Sequence, residues 1–109
     1  LEKNTEINKA FELARFAYEK APEDAAFADT LGWAYYNKKI YGNAVIYLEN
    51  AAVLDPENPL IHYHLGRAQI AKGNQEKGEE SLKRAISLKL SHPYLKKTEM
   101  LLEEILNQS

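Results

Sequence analysis

Apolar residues recur at intervals of three and four along six stretches of the chain. In residues 5–20 they are Ile7, Ala10, Phe11, Ala14 and Ala17, a spacing that winds them onto one stripe of a helix. Residues 25–38 place Ala28, Leu31, Gly32 and Tyr35 on one stripe, and residues 42–54 supply Ala44, Leu48 and Ala51 to face it. Residues 59–72 carry Leu65, Gly66 and Gln69 in the matching places, and residues 75–88 carry Gly78, Leu82, Ala85 and Ile86. The last stretch, 93–106, has Leu95, Leu102, Ile105 and Leu106 on one side, with Lys96, Lys97, Glu103 and Glu104 on the other. No stretch alternates with the period of a strand. The pattern predicts an all-α chain of about six helices, joined as antiparallel helix–turn–helix units.

The joints carry their own signals. Pro22 closes the first helix, because proline disfavours helical backbone in the residue before it. Asp24 and Asn58 are placed to cap the helices that follow them, and Pro59 suits a first helical position, where its missing N–H is no loss. Gly73 is a natural left-handed residue after a helix end. Lys39 falls at the place corresponding to Gly73, where left-handed geometry costs a lysine about 1 kcal/mol; that turn is expected to be reshaped, with help from Gly42 and Asn43. Gly32 costs about 1 kcal/mol of helix propensity relative to Ala, a loss recovered only if the 42–54 helix approaches closely there.

The stretches repeat with an offset of 34 residues. Pro22 recurs as Pro56, Pro59 as Pro93, Leu31-Gly32 as Leu65-Gly66, Ala10 as Ala44, Ala17 as Ala51 and then Ala85, and Leu48 as Leu82. The implied organisation of the 109 residues is a single domain: a half repeat at 1–24, repeats at 25–58 and 59–92, and a capping helix at 93–109. The first helix aligns with the second helix of the central repeat, so it reads as half a unit whose first helix lies upstream.

A helix–turn–helix period of about 34 residues resembles the tetratricopeptide repeat. Leu31, Gly32, Tyr35, Ala44, Ala51 and Pro56 are the residues that the family consensus expects, although Ala28 and Leu48 stand where aromatics are usual. In the second repeat Leu65, Gly66 and Ala85 agree and Leu82 is a tolerated substitute. Its departures are His62 for the aromatic, Gln69 for the tyrosine, Gly78 for the alanine and Leu90 for the proline. A narrower likeness, in the runs DTLGW (29–33), YLENAA (47–52) and HYHLG (62–66), is similar to the last repeats of large bacterial tetratricopeptide proteins, some of them envelope-associated lipoproteins. The resemblance implies a superhelical solenoid and a scaffold role.

Charge and chemistry narrow the function classes. A formal charge of −2 without a block of one sign argues against a nucleic-acid surface, which shows as a basic stripe. The chain has no cysteine, and no apolar run approaches the ~18 residues of a membrane span. Residue 1 is Leu rather than Met, so both the cytoplasm and, for a parent chain with a signal, the periplasm or envelope stay open. His62 and His64, two apart on a helix, point roughly 200° apart and cannot share an ion. There is no HExxH pattern, phosphate loop or nucleophile motif, so neither a metal, a cofactor nor catalysis is expected.

The family resemblance also implies a concave face built by the first helix of each repeat, where family members hold peptide or protein segments. On this chain that face comprises Asp29, Trp33, Tyr36, Asn37, Tyr63, Arg67 and Ile70, all off the packing stripe. Tryptophan, tyrosine and arginine are enriched among residues that dominate binding energy. Some family members clamp a chaperone's terminal carboxylate with paired Lys and Asn; the matching places here hold Asp29, Trp33, Asn37 and Arg67, which do not make that clamp. An alternative role is self-assembly, since Ile7, Phe11 and Phe16 of the unpartnered first helix offer an apolar face to another copy.

Overall fold

A computed structural model describes residues 2–108. They form α1 (Glu2–Lys20), α2 (Ala25–Asn37), α3 (Tyr41–Leu54), α4 (Pro59–Lys72), α5 (Gln75–Ser87) and α6 (Tyr94–Asn107), with no strand among the described residues. The fold is the all-α helical repeat that the periodicity predicts. The chain divides between Pro56 and Glu57 into two compact units, α1–α3 and α4–α6.

In the first unit, Asp24 Oδ1 accepts from the N–H groups of Ala26 (2.8 Å) and Phe27 (3.3 Å) and starts α2. Helices α2 and α3 meet at Gly32. A Cβ there would stand 2.6 Å from Leu48 Cγ and 3.2 Å from the Ala44 carbonyl oxygen, so the glycine is what lets the two backbones approach. Ala14, Leu31 and Ala34 form the centre of a core completed by Phe11, Tyr18, Tyr35 and Tyr47. Its rings interlock, with Tyr35 stacked on Tyr47 (5.4 Å, 6°) and Tyr18 edge-on to Tyr47 (5.1 Å, 84°).

The turn after α2 is not reshaped, contrary to the sequence expectation. Lys39 takes the left-handed conformation, φ 64°, and Gly42 lies inside α3. The reason is the hydrogen bonding. The Ile40 N–H bonds back to the Tyr35 carbonyl (3.0 Å) and the Lys39 N–H to the Tyr36 carbonyl (2.9 Å), the six-to-one and five-to-two pairs of a Schellman ending. Gly73 ends α4 in the same way, with Asn74 N–H on the Gln69 carbonyl at 2.8 Å, and Lys89 (φ 68°) ends α5, with Leu90 N–H on the Ala85 carbonyl at 3.1 Å.

In the second unit, Asn58 Oδ1 caps α4 through the Leu60 N–H (3.0 Å). The α4–α5 crossing is built on two glycines, Gly66 and Gly78. Ile70 packs over Gly78, its Cγ1 lying where a Cβ on that residue would point. Gln69, 5% exposed, accepts a 2.6 Å bond from Ser81 Oγ. These two positions correspond, 34 residues on, to the stacked pair Tyr35–Tyr47, so the second repeat joins its helices there by a hydrogen bond in place of ring stacking. Leu90, which departs from the consensus proline, joins Tyr63, Leu82 and Ala85 in the core.

Helix α6 is rotated relative to the expected stripe. Its inward line is Thr98, Leu101, Leu102 and Ile105, at steps of three, one and three, with Thr98 and Ile105 buried, Leu101 and Leu102 half-buried against the core, and Leu106 72% exposed. Leu106 is therefore a correction: it lies on the outer side. Thr98 is admitted to the interior because its hydroxyl donates to the Tyr94 carbonyl at 2.7 Å, satisfying the polar group locally. The α6 positions equivalent to the α2 seam are Lys96, Glu99, Met100 and Glu103, all exposed, which gives this helix a polar outer side.

Candidate functional site

The outer side of α2 carries Asp29, Trp33, Tyr36 and Asn37, at successive helical steps of four, three and one. Trp33 and Tyr36 lie flat on each other, 4.3 Å between centroids and 5° between planes, and Tyr41 of α3 tilts against Tyr36 at 5.6 Å. Asp29, Trp33 and Tyr36 are half-buried, while Asn37 is exposed. Stacking two large rings on one helix fixes both rotamers, so a ligand meeting them orders little new side-chain freedom.

Beside this pair lies a groove of about 1090 Å³, walled by Ile7 and Asn8 of α1 and by Tyr36, Asn37 and the Lys38-Lys39 turn of α2. Lys38 reaches across it. Its Nζ donates to Asn8 Oδ1 at 2.9 Å and sits 4.6 Å over the Phe11 ring, which is itself edge-on to Tyr35 at 4.8 Å. The helical periodicity of the sequence does not single out the α1 wall or Lys38. Their signal was available in Asn4 and Asn8, polar residues one turn apart on α1, but periodicity alone does not say which polar side of a helix borders a groove.

Tyr63, Arg67 and Ile70 belong to the second unit, where Tyr63 lies in the core and Arg67 and Ile70 are half-buried. Tyr63 is 3% exposed and packs with Leu82, Ala85, Leu90 and, at 5.2 Å, the Tyr94 ring. Ile70 packs on the same core and over Gly78. A first helix in a repeat is covered on two sides, by its own partner and by the following helix, and α6 provides the second cover. Arg67 remains half-buried and donates from Nη1 to the Tyr63 hydroxyl at 3.0 Å.

On α1, Leu13 and Phe16 are 68% and 61% exposed, with Lys20 Nζ 5.3 Å above the Phe16 ring, while Ile7 and Phe11 are half-buried. Among the described residues no group of three or more His, Cys, Asp or Glu side chains converges on a metal-sized site, and no helix is long and apolar enough to cross a membrane. The Tyr47 phenol is held above its ordinary pKa by burial first, then by the negative charge that Tyr35, Tyr18 and Glu19 can place near it.

Residues 60–92 match the family model of the tetratricopeptide repeat. No curated protein matches the chain. Among solved structures, a mutant O-GlcNAc transferase from Thermobaculum terrenum superposes with a TM-score of 0.74 at 28% identity over 79% of this chain; the chain spans only 16% of that transferase. The Yersinia enterocolitica type III secretion chaperone SycD, in complex with a peptide of the translocator YopD, gives 0.77 at 20% identity, over 98% of this chain and 82% of that one. The first tetratricopeptide domain of Spaghetti (RPAP3), bound to an HSP90 peptide, gives 0.79 at 14% identity, over 95% and 83%. The latter two likenesses are of fold.

Proposed function

We propose that this chain, a tetratricopeptide-repeat protein, is a non-enzymatic interaction module that holds a peptide or protein segment against the outer side of α2 and in the adjoining groove. The observation that carries the reading is the stacked Trp33–Tyr36 pair standing beside a groove of about 1090 Å³. Asp29 and Asn37 add polar contacts on the same helix. The second unit, taken by itself, offers Arg67 as a candidate contact residue, its guanidinium donating to the Tyr63 hydroxyl beside Ile70. The peptide complexes of SycD and Spaghetti are consistent with such a role for this fold.

The test is selection of a binder from a displayed library of random twelve-residue segments, followed by Trp33→Ala and Tyr36→Ala. Each substitution is expected to weaken binding about tenfold or more, the loss typical of an aromatic hot spot, with helical content unchanged. Binding that survives both substitutions overturns the reading.

A second reading, self-assembly through α1, rests on the exposure of Leu13 and Phe16. Under it, Phe16→Glu lowers the mass measured by light scattering and the α2 substitutions do not. A chain-length mass at all concentrations removes this second reading.

A further inference from the structure

We infer that two copies of this chain pair through α1, antiparallel, with Leu13 on the two-fold axis and Glu6 of each copy against Lys20 of the other. This rests on the second reading above, α1 as a self-assembly face, and gives that face one geometry. Helix α1 packs against α2, and its Phe11, Ala14 and Tyr18 join the first-unit core. On the side away from that core Glu6, Ala10, Leu13 and Lys20 are exposed and Ala17 is half-buried. They follow one another at steps of four, three, four and three, the spacing of a seam between two helices. Phe16 is exposed beside this seam, and Lys20 Nζ stands 5.3 Å over its ring, which holds the charge at the end of the seam.

The seam is complementary to itself about Leu13. In an antiparallel pair centred there, residues equally far before and after Leu13 stand level across the interface. Glu6 and Lys20 are seven before and seven after, and Ala10 and Phe16 are three before and three after. Acid therefore meets base at both ends, and each phenyl ring stands level with a methyl group of the other copy, which leaves it room to lie on Leu13. Lys9, a further cation of this side, stands level with Ala17 and meets no like charge. A parallel pair would instead set Glu6 beside Glu6 and Lys20 beside Lys20, which is repulsive. Head-to-tail stacking finds no such match, because the outer side of α6 presents Lys96, Glu99, Met100 and Glu103 to Leu13 and Phe16. A face that fits itself closes as a two-fold dimer. One helix against one helix is a small interface, so the dimer is a weak one that forms as concentration rises. Glu6 and Ala10 also border the groove, so pairing brings the second copy to its rim.

The experiment is light scattering of the intact chain across a concentration series, where the mass is expected to rise to two chains and stop. Glu6→Lys and Lys20→Glu are each expected to weaken the dimer about tenfold, since each sets like charges level at both ends. The two substitutions together restore it. Glu6 and Lys20 lie roughly 21 Å apart along one helix, so no contact within a chain explains that rescue. The chain has no cysteine, so Leu13→Cys is expected to cross-link to itself under mild oxidation, and Glu6→Cys to cross-link with Lys20→Cys in preference to itself. Circular dichroism establishes that every variant stays helical. A dimer lost in Phe16→Glu, yet neither rescued by the charge exchange nor cross-linked in Leu13→Cys, overturns this inference while self-assembly through α1 stands. A mass that climbs past two chains, as open stacking does, also overturns it. A chain-length mass at every concentration, or a dimer that survives Phe16→Glu, overturns both.

Discussion

The backbones of Gly66 and Gly78 touch: a Cβ on Gly66 would stand 3.0 Å from the carbonyl oxygen of Gly78, and one on Gly78 would stand 2.9 Å from that of Gly66. The first repeat solves the same crossing with Gly32 and Ala44. Removing the alanine methyl in the second repeat opens space that Ile70 enters, whereas the equivalent residue of the first repeat, Tyr36, turns outward to stack on Trp33. Gly78→Ala is predicted to lower stability by about 1–3 kcal/mol through overpacking, despite about 1 kcal/mol of better helix propensity. In an Ile70→Ala background the loss should shrink by about 0.5 kcal/mol or more, a coupling expected between residues in contact. Urea unfolding of the four chains measures it, and equal losses in both backgrounds contradict the packing of Ile70.

Two of the three Schellman endings place a lysine where φ is positive, 64° at Lys39 and 68° at Lys89. Glycine has no Cβ to strain there, so Lys39→Gly and Lys89→Gly are each predicted to stabilise by about 1 kcal/mol. The two gains should add, since the residues share no hydrogen-bond partner. Denaturant midpoints decide.

Much of this fold is written in local chemistry. Asp24 and Asn58 are short acceptors in front of apolar stripes, and both cap as their sequence position implies. Gly32 interrupts a good helix, a loss that makes sense only at a close crossing, which is where it sits. What could not be read is what depends on a second neighbour. Tyr63 looks outward from its own helix hairpin and becomes core only because Tyr94, Leu101 and Leu102 of α6 arrive over it. Thr98 looks polar until its hydroxyl is seen bonded to the Tyr94 carbonyl. The α2 side of the candidate site was legible as aromatic residues off the stripe, while the α1 wall and Lys38 were not, because a groove between two helices has no signature in either alone.

The Gln69–Ser81 bond joins α4 to α5 at 2.6 Å with the carboxamide almost wholly out of water. Ser81→Ala strips that acceptor of its donor and is predicted to cost about 1–2 kcal/mol. Adding Gln69→Leu should return part of the loss, because the buried polar group is then absent. A Ser81→Ala chain as stable as the parent in urea contradicts the role assigned to this bond.

Tyr47 makes the stability of the chain depend on pH on the alkaline side. Its phenol is raised above the ordinary value of 10.0, chiefly by burial and then by Tyr35, Tyr18 and Glu19. The folded state therefore favours the protonated phenol more than the unfolded chain does. That contribution is fully present below about pH 10 and is lost as pH rises through the higher folded-state value. Unfolding free energy measured from pH 8 to pH 12 should fall above pH 10, and Tyr47→Phe should make the fall shallower. A parallel fall in both chains contradicts the assignment.

The most direct measurement of the central claim is the map of backbone amide shifts when a library-selected segment is titrated into the isotopically labelled chain. The account predicts the largest changes along the walls of the first-unit groove, at Asn8, Tyr36, Asn37 and Lys38, and at Trp33 stacked beside it, and their disappearance in Trp33→Ala. Changes centred instead on Leu13 and Phe16, or on α6, with those groove residues unmoved, would contradict it.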